Sequence, residues 1–468
     1  MLRRAIGIAL AFTGVIVGAG FASGQETLQF FVAFGTWGIV GAVVASVLMV
    51  LSGIAVLQLG SYFQAKEHMA VLSRISNRTV SWILDIATIA TLFCIGFVMF
   101  AGGGANLNQQ FGWPVWVGAT IMLILVLVTG MLDVNKVSAI IGAITPFVII
   151  FILLVTIWTI VTARPDIAAL NLASRDVATT LPNWWLSALN YLGLCLMTAV
   201  SMAIVIGGNF MDTKAAGLGG LLGGLFFLIM LMLLVVALFF EVETVSGDDM
   251  PVLALINGIH PVLGFLMTFV IFGMIFNTAV GMFYALGKRL TRRRRELYRP
   301  AFIAACLIGF GLSFFGFKDL VSYVYPALGY LGILMVVVLA TAWLRGRSKL
   351  SEEGRRRVRA RDLLQRKMDP RLRYTKRHQK ELAKLTRESN IPAEVFTEQM
   401  ADEIHGELEE DPELDYDRED PPSTVVYVQH TEPAGREGSG NGPGDSGDAG
   451  TGTAGAGDVD PEEPRTRS

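Results

Sequence analysis

The sequence predicts an all-α membrane protein: about ten transmembrane helices as two inverted five-helix repeats, with broken first and sixth helices, then a largely disordered cytoplasmic tail. Three observations lead there. Of the 468 residues, 53% are hydrophobic and only 17% charged, where soluble domains carry about 25% charged residues. The imbalance is regional, because residues 5–343 are a series of apolar runs and the chain from Arg345 onward is polar, charged and finally glycine-rich. The connections between the runs also alternate between basic and non-basic. The net charge of −2 averages two unlike segments and says nothing about partners by itself.

A bilayer core about 30 Å thick takes roughly 20 apolar residues per helix. Runs that meet or approach this lie near 5–34, 36–60, 80–105, 113–132, 136–162, 184–209, 215–240, 261–287, 300–316 and 321–344. The opening "MLRR" has the basic start of a signal peptide, but no A-x-A-like site follows a short apolar core. It reads as a retained first helix. Arg3 and Arg4 precede span one, and Lys66, Arg74 and Arg78 join spans two and three. Lys136 follows span four, Lys214 follows span six, and a basic run from Lys288 to Arg299 separates spans eight and nine. The opposite connections hold Arg164, Arg175 and Lys318, and one of them, "EVETVSGDDM", is acidic. The positive-inside rule then makes both termini cytoplasmic and the number of spans even. The reading is a multi-pass integral protein of a bacterial-type cell membrane.

"VIVGAGFASGQE", Val15 to Glu26, carries glycines in a spacing close to that of a dinucleotide fingerprint. Such a fingerprint needs a strand before the glycines and an acidic residue about 20 positions on. Here the next carboxylate after Glu26 is Glu67, and the surroundings are apolar. Small residues at Gly14, Gly18 and Ala22 suit close helix packing, as do Gly219/Gly223 and Gly220/Gly224. The polar Ser23, Gln25 and Glu26 deep in a span fit a discontinuous helix better, since its freed backbone groups can meet a ligand or ion. The halves 5–162 and 184–344 are nearly equal, and five spans per half inverts the second. That plan places the site between the first helices of the two halves. Span six, "NWWLSALNYLGLCLMTAVSMAIVIGG", offers Asn190, Tyr191, Gly193, Thr198 and Ser201 at the corresponding depth.

The run "GVIVGAGFASGQETLQFF", supported by "YPALGYLGI" at 325–333, resembles the YkvI-type membrane proteins. These resemble in turn the amino acid–polyamine–organocation permeases. The resemblance covers about 1–345 and implies a LeuT-like five-plus-five core. It also implies substrate and cation binding at the breaks of spans one and six, with spans three, eight and ten contributing.

The substrate-binding candidates are therefore Gly18, Ala19, Gly20, Phe21, Ala22, Ser23, Gly24, Gln25, Asn190, Tyr191 and Gly193. Glu26 leads for coupling, as a proton carrier or as counter-charge to a substrate amine, because an unpaired carboxylate in hydrocarbon is costly. Local pairing or capping is the simpler role for it. Asn277 and Thr278 join it as ion-coupling candidates; by the resemblance, Thr278 would pair with Val17 and Gly20 around Na⁺, and interhelical hydrogen bonding is the alternative. Asp85, early in span three, reads as a helix cap. The glycine- and amide-rich "FAGGGANLNQQFGW" reads as a helix end followed by a loop, and His260 as a surface residue. Cys94, Cys195 and Cys306 are packing residues, with no metal or disulfide spacing.

Three regions follow: a transporter core at 1–345, a basic and partly helical cytoplasmic segment at 346–400, and an acidic then Gly-rich disordered tail at 401–468. The basic segment suits anionic lipid better than nucleic acid. The acidic segment suits partnership with the basic one and does not fold alone. The resulting expectation is a secondary active transporter of a small organic solute, an amino acid or related amine, with Na⁺ or H⁺ as coupling ion and no cofactor. The alternative is a ligand sensor of the same fold that signals through the tail. No enzyme motif is present in the spans.

Overall fold

The structure, a computed structural model, describes residues 2–131, 145–292, 294–409, 411, 414, 416 and 426–427. Lys136, the start of the fifth apolar run, Arg293 and the Gly-rich 434–468 lie outside the described residues. The chain is mostly helical. The first segment is divided into α1 (Leu2–Ile16), α2 (Ala19–Ser23) and α3 (Gln25–Phe30). Then come α4 (Thr36–Phe63), α5 (His68–Ile75), α6 (Arg78–Phe111), α7 (Val115–Met131), α8 (Thr145–Thr162) and α9 (Ile167–Ala173). The second half holds α10 (Trp184–Gly208), α11 (Thr213–Phe240), α12 (Val242–Val245), α13 (Pro251–Ile259), α14 (Pro261–Leu290), α15 (Tyr298–Leu312) and α16 (Phe317–Met368). Seven helices among the described residues are long and apolar enough to cross a membrane, and Val115–Met131 and Ile149–Thr162 are shorter apolar helices.

Starts are fixed by short polar side chains that accept otherwise unpaired N–H groups. Asn77 caps α6 through Val80, Asn183 caps α10 through Leu186, and Asp212 caps α11 through Lys214 and Ala215. Asp85 therefore caps nothing, lying two turns inside α6. His260 caps α14, its Nδ1 accepting from the Val262 N–H. Exposed apolar side chains such as Leu51, Ile124, Ile229 and Phe269 cover the outside, as expected of helices that face lipid. Inside, the glycines of α11 admit two neighbours. A Cβ at Gly220 would strike Gly53 of α4, and one at Gly223 would lie 2.9 Å from the Phe12 ring of α1. The short residues spaced four apart let these backbones approach closely.

Two expectations are corrected here. The sixth span is unbroken, since α10 runs continuously from Trp184 to Gly208. Its central Gly193 serves a helix crossing: a Cβ there would come within 2.8 Å of the Ile333 N and closer to the Gly329 carbonyl of α16. The acidic segment is also not disordered from 401. After α16 the chain folds back as α17 (Lys376–Glu388) and α18 (Ala393–Glu409). Phe396, Met400, Ile404 and Leu408, spaced four apart, form one apolar stripe. They cluster with Ala360, Leu364 and Met211. The tail does not need a core of its own, because Met211 belongs to the connection after α10 and supplies part of it. A two-residue parallel bridge pairs Tyr374–Thr375 with Val426–Tyr427.

Candidate functional site

The helical ladder lapses at Val17–Gly18, where the Gly18 N–H donates to the Ile16 carbonyl at 3.0 Å instead of four residues back. It lapses again at Gly24, whose left-handed φ of +80° is one that glycine adopts without steric cost. Between them, the Ser23 hydroxyl donates to the Gly20 carbonyl and accepts from the Gln25 N–H. Glu26 follows, and its carboxylate lies directly on the Cα of Gly20, in the space a Cβ there would occupy. Among the described residues no cation or hydrogen-bond donor pairs with Glu26.

A cavity of about 1180 Å³ reaches this break. Its inner end is lined by Gly18, Ala19, Gly20, Phe21 and Glu26 with Thr278 and Asn277 of α14. The mouth lies among Lys66, Glu67, Lys288 and Arg292, where exposed Arg292 and Glu67 pair at 3.3 Å. The far side is closed by α13, with Val252 packed against Gly24. Gln109 of α6 anchors that plug by exchanging two hydrogen bonds with Met250, at 2.8 and 3.0 Å.

A polar chain crosses the cavity near its mouth. Arg289 of α14 bonds Asp85 of α6 and, at 2.5 Å, His68 Nε2 of α5, while His68 Nδ1 meets the Ser201 hydroxyl of α10 at 3.0 Å. A guanidinium can only donate, so His68 Nε2 accepts and its proton sits on Nδ1, donated to Ser201. Burial, reinforced by Arg289 and Arg292, pushes the His68 imidazole down to about 3 and keeps it neutral. The role of Asp85 is thus to pair with Arg289.

The predicted residues divide into two groups. Gly18, Ala19, Gly20, Phe21, Glu26, Asn277 and Thr278 are brought together at the cavity, with Val17. The Thr278 hydroxyl donates to the Met274 carbonyl and faces Gly18, where a Cβ would lie 3.9 Å from it. The Gly20 carbonyl accepts from both the Gly24 N–H and the Ser23 hydroxyl. Among the described residues no three His, Cys, Asp or Glu side chains gather as a metal site.

Ala22, Ser23, Gly24 and Gln25 are buried behind the break, and both amide atoms of Gln25 lack a partner among the described residues. Asn190, Tyr191 and Gly193 are engaged in packing. The Asn190 amide donates to the Pro326 carbonyl at 2.9 Å, and the Tyr191 ring sits between Phe30 and Phe31. The face of α10 that does line the cavity carries Leu194, Cys195, Thr198, Ser201 and Met202. The spacing of three to four residues from Cys195 through Met202 was the available signal for that face. For His68 and Arg289 the sequence held none, because they pair with each other and with Ser201 and Asp85 of two other helices.

No family model matches the chain. It is similar to the membrane protein YkvI of Bacillus subtilis strain 168, 25% identical over 335 residues that span 71% of this chain and 94% of that one. It is likewise similar to YyaD of the same organism, 25% identical over 333 residues and 94% of its length. Among solved structures, MhsT in complex with L-phenylalanine matches with a TM-score of 0.51 at 15% identity, over 84% of this chain and 98% of that one. The likeness to YkvI-type membrane proteins and the LeuT-like fold agree with the resemblance carried by the first-span motif.

Proposed function

We propose that the protein is a secondary active transporter of a small organic solute, an amino acid or related amine, working by ion-coupled alternating access. The observation that carries this reading is a cavity that ends on an unpaired carboxylate at a helix break. A soluble-facing enzyme pocket has no need of such a break, whereas a carrier uses the freed backbone to hold its solute at mid-membrane depth. The ten apolar segments, read as two inverted sets of five, would place Glu26 near the midplane, with both termini and the basic mouth cytoplasmic. The present state is then open to the cytoplasm and plugged outside by α13. The L-phenylalanine bound to MhsT, which shares the fold, supports an amino acid or amine as the solute. Glu26 carries the proton or faces the substrate amine, and Na⁺, if it is the coupling ion, sits near Val17, Gly20 and Thr278. The basic surface after 345 meets anionic lipid, and no nucleic acid is involved.

The test is counterflow in proteoliposomes, after a thermal-shift screen of amino acids and amines with and without Na⁺ has chosen the solute. Exchange is expected, and Glu26→Gln should abolish it or remove its dependence on pH. Uptake by Glu26→Gln that follows the wild-type pH profile would take Glu26 out of the coupling role. One observation favours a second reading: the tail is seated on the N-terminal end of the first span, through Arg4 with Glu403 and Glu407. A sensor that kept the transporter fold would use that contact. Solute binding without any exchange would select it.

A further inference from the structure

The folded tail touches a particular subset of the helices. Arg357 of α16 is 1% exposed, yet its guanidinium donates to the carbonyls of Ser61 and Tyr62 at the end of α4 and of Met211 after α10. It also donates to Glu353 and to Asn390, and the Asn390 amide donates in turn to Tyr62. Gly354 abuts Thr213, the first residue of α11. From α18, Glu403 accepts from the Met211 N–H and from Arg4 of α1, and Glu407 accepts from Arg4 and from Arg361. The cytoplasmic ends of α1, α4, α10 and α11 are thereby tied together. The ends of α6 and α14, which form the opposite wall of the cavity, carry none of these bonds. The two walls meet instead through the Ser201–His68–Arg289–Asp85 chain.

We propose that the docked tail is a restraint on the inner half of the first span: it fastens α1 to α4, α10 and α11, so that α1 cannot swing away from them alone. The first span needs such a tie more than its neighbours, because the break at Val17–Gly18 uncouples α1 from α2 and removes the ladder that would otherwise hold it. The tie at Arg4 is electrostatic and partly exposed, with side-chain exposures of 22% for Arg4, 18% for Glu403 and 42% for Glu407. Salt or a competing charge at the membrane surface therefore loosens it. The buried bonds of Arg357 anchor the tail itself and are insensitive to salt. Release of α18 would free the cytoplasmic end of α1 and widen the mouth, which makes the tail an autoinhibitory element.

Hydrogen–deuterium exchange on the purified full-length protein tests this without reference to transport. In E403K/E407K, amide exchange over residues 2–16 should rise by about tenfold or more, while α6 and α14 stay unchanged, as expected of local opening. Combining these changes with R4E, which restores opposite charge, should return exchange to near the wild-type level. Wild type in about 1 M NaCl, where the Debye length is about 3 Å, should mimic the double substitution. Unchanged exchange over 2–16 in both the variant and high salt would overturn the proposal, as would a rise shared by every helix or a failure of R4E to reverse it.

Discussion

The first span and α10 both line the cavity, and both place glycine beside amide side chains, yet one is divided and the other is a single helix. The difference lies in what occupies the space beside each glycine. Gly193 is filled by another backbone, where Gly329 and Gly332 of α16 cross it, and Asn190 finds the Pro326 carbonyl. With the Asn190 N–H₂ bonded to that carbonyl and the glycine pressed against a neighbouring backbone, α10 runs on as one helix. Gly20 is filled by a carboxylate from its own segment, and Gly24 takes a left-handed turn so that Glu26 can fold back over it. A glycine therefore breaks a membrane helix where the chain itself must return across it, and tightens one where another helix approaches.

The largest effect should come from Gly20→Ala. The added methyl would occupy the position of the Glu26 carboxyl group and displace it from the cavity floor. Misplacing a functional group by about 1 Å commonly costs about 100-fold in rate, so counterflow should fall by that order while the melting temperature changes little. Counterflow within a few-fold of wild type would mean that the Gly20–Glu26 contact is incidental. Gly193→Ala should do the reverse. Its Cβ meets main-chain atoms that no rotamer change can move, and overpacking of this kind costs about 1–3 kcal/mol. A lower melting temperature with near-normal counterflow per folded molecule is expected. Selective loss of counterflow instead would return α10 to the list of jointed helices.

These two glycines also mark what could be read in advance. The break in the first span was legible because its cause is local: glycines, a serine, an amide and a carboxylate lie within nine residues of Gly18. The continuity of α10 was not, because Gly193 owes its role to Gly329 and Gly332, far along the chain. The same holds for the tail. The helical part of the basic segment was legible from its composition, but α18 was not, because its return onto Arg4 and that of Arg357 onto Ser61 depend on pairs about 300 to 400 residues apart. Asp85 looked like a cap only because Arg289 and His68, its real surroundings, come from elsewhere in the sequence.

The inner part of α10 is also held from the side, through Ser201 and His68, and that support should depend on pH. Folding holds the His68 imidazole near 3, well below its ordinary 6.5. Between those two values the unfolded chain binds a proton that the folded protein does not, so stability rises with pH across the window and is lost as pH falls below about 6.5. Melting temperatures measured from pH 8 down to pH 5 should decline, and His68→Gln, which does not titrate, should flatten the decline. An identical decline in the variant would assign the pH dependence to other groups.

The smallest effect is expected at Gly14, and it decides whether the first span needs close approach or merely many glycines. Gly14 lies in α1 on the cavity side, three residues before the break begins, and a Cβ there would have nothing within 4 Å. Gly14→Ala should be neutral in counterflow and neutral or slightly favourable in stability. Alanine in a helix interior gains about 0.5–1 kcal/mol over glycine, chiefly through the unfolded chain. If Gly14→Ala were as damaging as Gly20→Ala, general looseness of the first span would be the requirement and the contact between Gly20 and Glu26 only one instance of it. If it is silent, the requirement narrows to the residues that the Glu26 carboxylate itself touches.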